Sequence, residues 1–200
     1  MNCVSKCQAL TSLKLSVNHR RRSYETLFPK SLNLPLLTSL YLTNFVFCGD
    51  DNGRVEPFSV FTKLNSLVIC NCKMLKDAQT LIISSETLVN LALHYYSTTS
   101  NFAKIELSTP NLCTFTFPKS LDQKISGSGL SSVKQVNIDL PDCLATEKRA
   151  LVLFTWLRDL TNVESLTTTS ITLQVPWHVS NLCFLLSSQD VFYIYFCKLS

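Results

Sequence analysis

An apolar triplet with the spacing L-x-x-L-x-L returns along most of this chain, and that recurrence constrains the fold more than any single residue. Its plainest copy is Leu64, Leu67 and Ile69, with Cys72 in the polar place that follows. The others are Leu10, Leu13, Leu15 (with Asn18 in the polar place); Leu37, Leu40, Leu42; Leu88, Leu91, Leu93; and Leu112, Phe115, Phe117. Looser copies are Val133, Val136, Ile138 and Val163, Leu166, Thr168. Successive starts lie 27, 27, 24, 24, 21 and 30 residues apart.

Residues two apart on an extended chain point to one side, so Leu67 and Ile69 share a face and Ser66, Val68 and Cys70 take the other. One such strand cannot bury its apolar side alone. Stacked repeats can, and the spacing lies mostly within the leucine-rich-repeat range. The expected fold class is α/β: a leucine-rich-repeat solenoid with a curved parallel sheet of about seven short strands, irregular convex segments and one helix near 142–160. The inter-strand segments echo one another too. Leu81 and Ile83 before Leu88 align with Ile105 and Leu107 before Leu112. Each pair reads as a short extended piece on the convex side, followed by a turn rich in Ser, Thr or Pro.

Asp142 can cap the helix, and Arg158 suits its C-terminal end. Ala150, Phe154 and Leu157, extended by Leu153, Trp156 and Leu160, form its apolar stripe, which reads as core packing. The pattern changes after Val175. Residues 1–175 are therefore read as a partial repeat domain and 176–200 as a divergent hydrophobic tail. Within that tail Val191, Ile194 and Phe196 satisfy the triplet and allow an eighth strand at 191–196. The competing reading is a sticky β-forming segment.

Two hundred residues with 46% hydrophobic content can bury a substantial core. Terminal repeats of a solenoid ordinarily carry a polar outer face. Met1 to Leu10 offers none, so the chain reads as a piece of a longer array. The nine cysteines include no C-x-x-C pair and no Cys/His set of zinc spacing, so no metal or cofactor is expected; most of them read as small buried hydrophobes. There is no N-x-[ST] acceptor, no signal-peptide core in residues 1–15 and no apolar run long enough to span a membrane. These features point to a reducing compartment, cytoplasmic or nuclear. The basic run His19 to Arg22 stands without interleaved aromatics and reads as a solvated loop, not a nucleic-acid contact. No G-x-S-x-G, H-E-x-x-H or P-loop motif is present, so the chain is not expected to be an enzyme.

Residues 12–17 (SLKLSV), 25–35 (ETLFPKSLNLP), 56–69 (EPFSVFTKLNSLVI), 83–91 (ISSETLVNL), 104–115 (KIELSTPNLCTF), 131–139 (SSVKQVNID) and 156–166 (WLRDLTNVESL) include the loops as well as the leucines. In these stretches the chain resembles plant F-box/LRR proteins, the group with an N-terminal F-box, leucine-rich repeats and often a C-terminal FBD domain. The resemblance covers about residues 1–175, and the F-box would lie before Met1. It implies a protein-interaction module similar to the substrate-recognition repeats of an F-box subunit of a cullin-based (SCF) ubiquitin ligase. A Skp-type adaptor would be a partner only of a longer form carrying the F-box. The alternatives are an F-box-less repeat protein with no ligase role and a secreted or receptor-type repeat protein.

A solenoid recognises partners over a broad strand surface. The outward positions on the concave face are mostly small and polar. Lys14, Tyr41, Val68, His94, Thr116 and Asn137 are the candidate partner-binding residues, with Tyr41 as anchor and Lys14 and Val68 one strand away on either side.

Overall fold

The computed structural model describes residues 7–18, 25–29, 32–75, 79–94, 104–117, 124–138, 160–169 and 191–195. In chain order the strands are β1 (Ser12–Ser16), β2 (Ser39–Thr43), β3 (Val46–Phe47), β4 (Arg54–Val55), β5 (Ser66–Cys70), β6 (Lys73–Met74) and β7 (Thr80–Ser84). They continue as β8 (Asn90–His94), β9 (Lys104–Ser108), β10 (Thr114–Thr116), β11 (Lys124–Gly127), β12 (Gln135–Ile138), β13 (Ser165–Thr169) and β14 (Val191–Tyr195). The architecture is a parallel-strand solenoid. A long sheet runs β1-β2-β5-β8-β10-β12-β13-β14, a second sheet runs β11-β9-β7-β4, and β3 pairs with β6.

The triplets stand in phase across the long sheet. Leu13 pairs with Leu40, Leu40 with Leu67, Leu67 with Leu91, Leu91 with Phe115, Phe115 with Val136 and Val136 with Leu166. From Leu40 onward these residues are buried and form one continuous core with the turn residues and the second sheet. In the fifth repeat Phe115 and Phe117 replace leucines, with ring centroids 4.5 Å apart. At the β1 end Leu10, Leu13, Leu15 and Val17 are only partly covered.

Each repeat is tied to the next by the same backbone device. The carbonyl just before a strand accepts two N–H groups from the following repeat. Thr11 accepts from Thr38 and Ser39, Thr38 from Asn65 and Ser66, and Asn65 from Val89 and Asn90. Val89, Cys113 and Lys134 continue the series through Cys113/Thr114, Lys134/Gln135 and Glu164/Ser165. The turn that precedes the strand also repeats: the N–H of Leu10, Leu37, Leu64, Leu112 and Val133 each reaches the carbonyl three residues back. Side chains of the residue before the triplet add a polar ladder. Thr87 donates to the Thr62 carbonyl, Asn111 to Glu86 and Asn162 to Ser131. These bonds lie at the surface and tie each turn to the turn of the neighbouring repeat.

The expectation of irregular convex segments is corrected. The extended pieces between the main strands pair regularly, with Leu81 beside Ile105 and Ile83 beside Leu107. Val55 and Ile125 extend the same layer in β4 and β11. Segments that bury one apolar face and lie one repeat apart can complete each other's backbone hydrogen bonds, so they form a second parallel sheet. Phe28, Phe47 and Phe58 fill part of the interior, with ring centroids 5.7–6.2 Å apart.

The α/β character expected of the fold depended on the helix at 142–160, and of that segment only Leu160 lies among the described residues. There it is buried. The described residues contain little helix; Ser128–Ser132 forms a 3-10 turn. In the tail, β14 does extend the sheet, but its register differs from the triplet alignment. Leu166 pairs with Phe192 and Thr168 with Ile194, a shift of two residues. A shift of two residues has the same parity as no shift, so alternation in the sequence cannot detect it. The basic run at 19–22 lies outside the described residues.

Candidate functional site

The long sheet has one face in the core and one turned outward, as the alternating burial of β2, β5 and β8 records. Its middle outward row is continuous in register: Lys14, Tyr41, Val68, Ala92, Thr116 and Asn137. Five of the six candidate residues therefore share this row. His94 lies outward in the next row, beside Cys70.

Lys14 and Tyr41 interact directly. The Lys14 ammonium sits 4.7 Å from the Tyr41 ring centroid, a cation–π contact. The Tyr41 hydroxyl donates to Cys70 Sγ at 3.5 Å. Cys70 was expected to face solvent as an outward residue, yet it is only 5% exposed. Sequence position gives its direction correctly but cannot reveal that a tyrosine from the preceding repeat, 29 residues earlier, covers it. Further along the sheet, hydroxyls and amides bond across strands. Thr114 Oγ1 meets Gln135 Oε1 at 3.3 Å, and Asn137 Nδ2 donates to Thr116 Oγ1 at 3.3 Å. The face thus has an amphipathic end around Tyr41 and a neutral hydrogen-bonding end around Asn137.

The rim after the strands is held by backbone geometry. Asn44 and Asn71 adopt positive φ of 61° and 49° in equivalent turns, where asparagine is tolerated better than most residues. Asn44 Nδ2 donates to the Val17 carbonyl at 2.8 Å. Cys72, in the polar place of its triplet, is buried and points Sγ at the carbonyls of Cys70 (3.4 Å) and Leu42 (3.9 Å). Burial pushes its thiol up to about 12. At pH 8 only about one Cys72 in 10⁴ is thiolate, the form that reacts. Iodoacetamide at pH 8 should accordingly label exposed Cys7 in the folded chain and reach Cys72 only after denaturation, as peptide mapping would show. Labelling of Cys72 at the rate of Cys7 in the folded chain would contradict this placement.

The remaining polar clusters are on other surfaces. On the second sheet Glu106 pairs with Lys104 and with Arg54, the latter at 3.2 Å. The Lys104 hydrogen bond, followed by the charges of Lys104 and Arg54, holds its carboxyl below the usual value. Among the described residues no three His, Cys, Asp or Glu side chains converge as metal ligands. No helix among them is long and apolar enough to cross a membrane. No family model, curated protein or solved structure matches the chain.

Proposed function

We propose that this chain is a protein-interaction module of the leucine-rich-repeat type, docking partners on the outward face of its long sheet. The observation that carries this reading is the in-register row from Lys14 to Asn137, which supplies a broad face with an aromatic anchor at one end. Tyrosine offers large, rigid, amphipathic contact area and is enriched at binding hot spots. Its ring here is held by Lys14 and its hydroxyl by Cys70, so little ordering is left to lose on binding. The resemblance to plant F-box/LRR proteins gives the role: substrate recognition for a cullin-based ubiquitin ligase, with no catalysis by this chain itself. The described cysteines are thiols, which suits a cytoplasmic or nuclear setting.

The test uses the full chain as bait, with bound proteins identified by mass spectrometry. Tyr41→Ala should weaken capture of a specific partner by more than about 1 kcal/mol, with little effect on folding. Ser126→Ala, on the second sheet, should leave capture intact. Equal retention by both variants would move the interface off this face. The ligase role has its own check. Residues 1–200 contain nothing resembling the F-box, so a pull-down with purified Skp-type adaptor should be empty. One-to-one binding would show that the docking site is misplaced. An F-box coding segment upstream of Met1 would favour the ligase reading, and a signal peptide there the secreted alternative.

A further inference from the structure

We propose that Asn52 is a site of spontaneous covalent modification, closing with the backbone nitrogen of Gly53 to a succinimide that opens to aspartate or isoaspartate, and that Asp50 restrains this reaction in the folded chain. The turn concerned leads into β4, in the second sheet rather than the long one, so the proposal is independent of the docking face.

The turn between β3 and β4 is closed on itself. The Asp50 N–H donates to the Arg54 carbonyl at 2.9 Å, and the Gly53 N–H donates back to the Asp50 carbonyl at 3.0 Å. Asp50 Oδ1 accepts from the N–H groups of Asn52 and Arg54, both at 2.9 Å. Gly53 adopts a φ of 70°, which favours a residue without Cβ. Asn52 is exposed, and the pair it forms with Gly53 is the one Asn-Gly in the chain. The glycine that the turn requires is also the neighbour that obstructs an asparagine least, since no side chain stands beside its nitrogen.

In the reaction the Gly53 nitrogen loses its proton to solvent and attacks Asn52 Cγ. A new N–C bond forms, and the bond from Cγ to the side-chain nitrogen breaks to release ammonia. Water then adds to either carbonyl of the five-membered ring, giving aspartate or isoaspartate; no oxidation or reduction occurs. In the folded turn the Gly53 N–H is held by the Asp50 carbonyl and is not available for attack. The Asp50 carboxylate ties the backbone on both sides of the reacting bond, and hydrogen bonds to an ionised acceptor are the stronger kind. The folded chain therefore reacts only when this turn opens.

Conversion reaches the sheet through Gly53. Its carbonyl accepts the N–H of Gln79 at 2.8 Å and of Thr80 at 3.2 Å, where β7 begins beside β4. Isoaspartate routes the main chain through the former side chain and lengthens the turn by one carbon, which displaces that carbonyl. Either product also adds a carboxylate beside Asp50 and Asp51, and like charges this close repel. The modified chain thus loses the tie between β4 and β7.

The test follows residue 52 in the full chain at pH 8 by peptide mapping that separates asparagine, aspartate and isoaspartate. Parent, Asp50→Ala and Asp50→Asn chains are incubated both folded and in urea, with folding checked by circular dichroism. In urea all three should convert Asn52 at similar rates, while Asn111, which precedes a leucine, stays intact. Folded Asp50→Ala should convert about tenfold faster than the folded parent, as expected for loss of hydrogen bonds to a charged acceptor. Asp50→Asn keeps a side-chain oxygen and should fall between them; it carries the comparison if Asp50→Ala does not fold. Hydrogen exchange of the isolated isoaspartate form should be faster at Gln79 and Thr80 and unchanged at Ser66 in the long sheet. Asn52 intact in urea, or converting no faster there than Asn111, would overturn the modification site. Equal folded rates in the parent and the Asp50 variants, or a folded parent as fast as the chain in urea, would overturn the restraint by Asp50. Unchanged exchange at Gln79 and Thr80 would overturn the loss of the β4 tie.

Discussion

Gly127→Ala should abolish the pairing of β9 with β11 and cost about 3–5 kcal/mol of stability. Gly127 ends β11 opposite Leu107 and adopts φ 143°, ψ 167°, a region open in practice only to glycine. A Cβ built there would lie 1.9 Å from the Leu107 carbonyl oxygen and 2.7 Å from its carbonyl carbon and amide nitrogen. The obstacle is backbone, so no side-chain rotation relieves it. Two costs therefore add: the strained dihedral, and the forced parting of strands whose inward residues Ile105, Leu107 and Ile125 are all buried. Gly129→Ala meets a related but softer obstacle, Thr109 Oγ1 at 2.3 Å and its carbonyl oxygen at 2.7 Å. Thr109 is itself fully buried. Urea unfolding followed by circular dichroism measures both losses. A Gly127→Ala chain within about 1 kcal/mol of the parent would mean that β11 does not lie against β9 as described.

Nothing in the sequence marks Gly127 for this part, because its constraint comes from a strand 20 residues earlier in a sheet that the sequence only half reveals. The Leu81/Ile83 and Ile105/Leu107 pairs were legible because two apolar residues at period two define a face. The flanking strands β4 and β11 offer one buried inward residue each, Val55 and Ile125, and one residue defines no period. The long sheet was legible for the opposite reason. Its triplets recur often enough that only one phase stacks Leu40, Leu67 and Leu91 together. That same phase set Lys14, Tyr41 and Val68 side by side. What alternation could not supply were contacts between repeats: the cover of Tyr41 over Cys70, the doubled N–H contacts on each pre-strand carbonyl, and the ladder from Thr87, Asn111 and Asn162. These depend on which turn lies above which, and a turn's polar residues look alike whether they bond water or the neighbouring repeat.

Leu67→Ala should cost about 2–5 kcal/mol, and its neighbour Val68→Ala less than about 1 kcal/mol. Leu67 is fully buried between Leu40 and Leu91, so truncation leaves a cavity in a stacked row that cannot close without moving two strands. Val68 is partly exposed between Tyr41 and Ala92 on the outward face, where water fills the space a lost side chain leaves. The comparison reaches further than stability. The proposed docking face consists of the residues in phase with Val68, and the core of those in phase with Leu67. Paired equilibrium urea unfolding of the two variants tests that division directly. A much lower midpoint for Leu67→Ala, with Val68→Ala close to the parent chain, is the expected result. Equal losses, or a larger loss for Val68→Ala, would turn Lys14, Tyr41 and Val68 toward the core and contradict both the register and the docking face built on it.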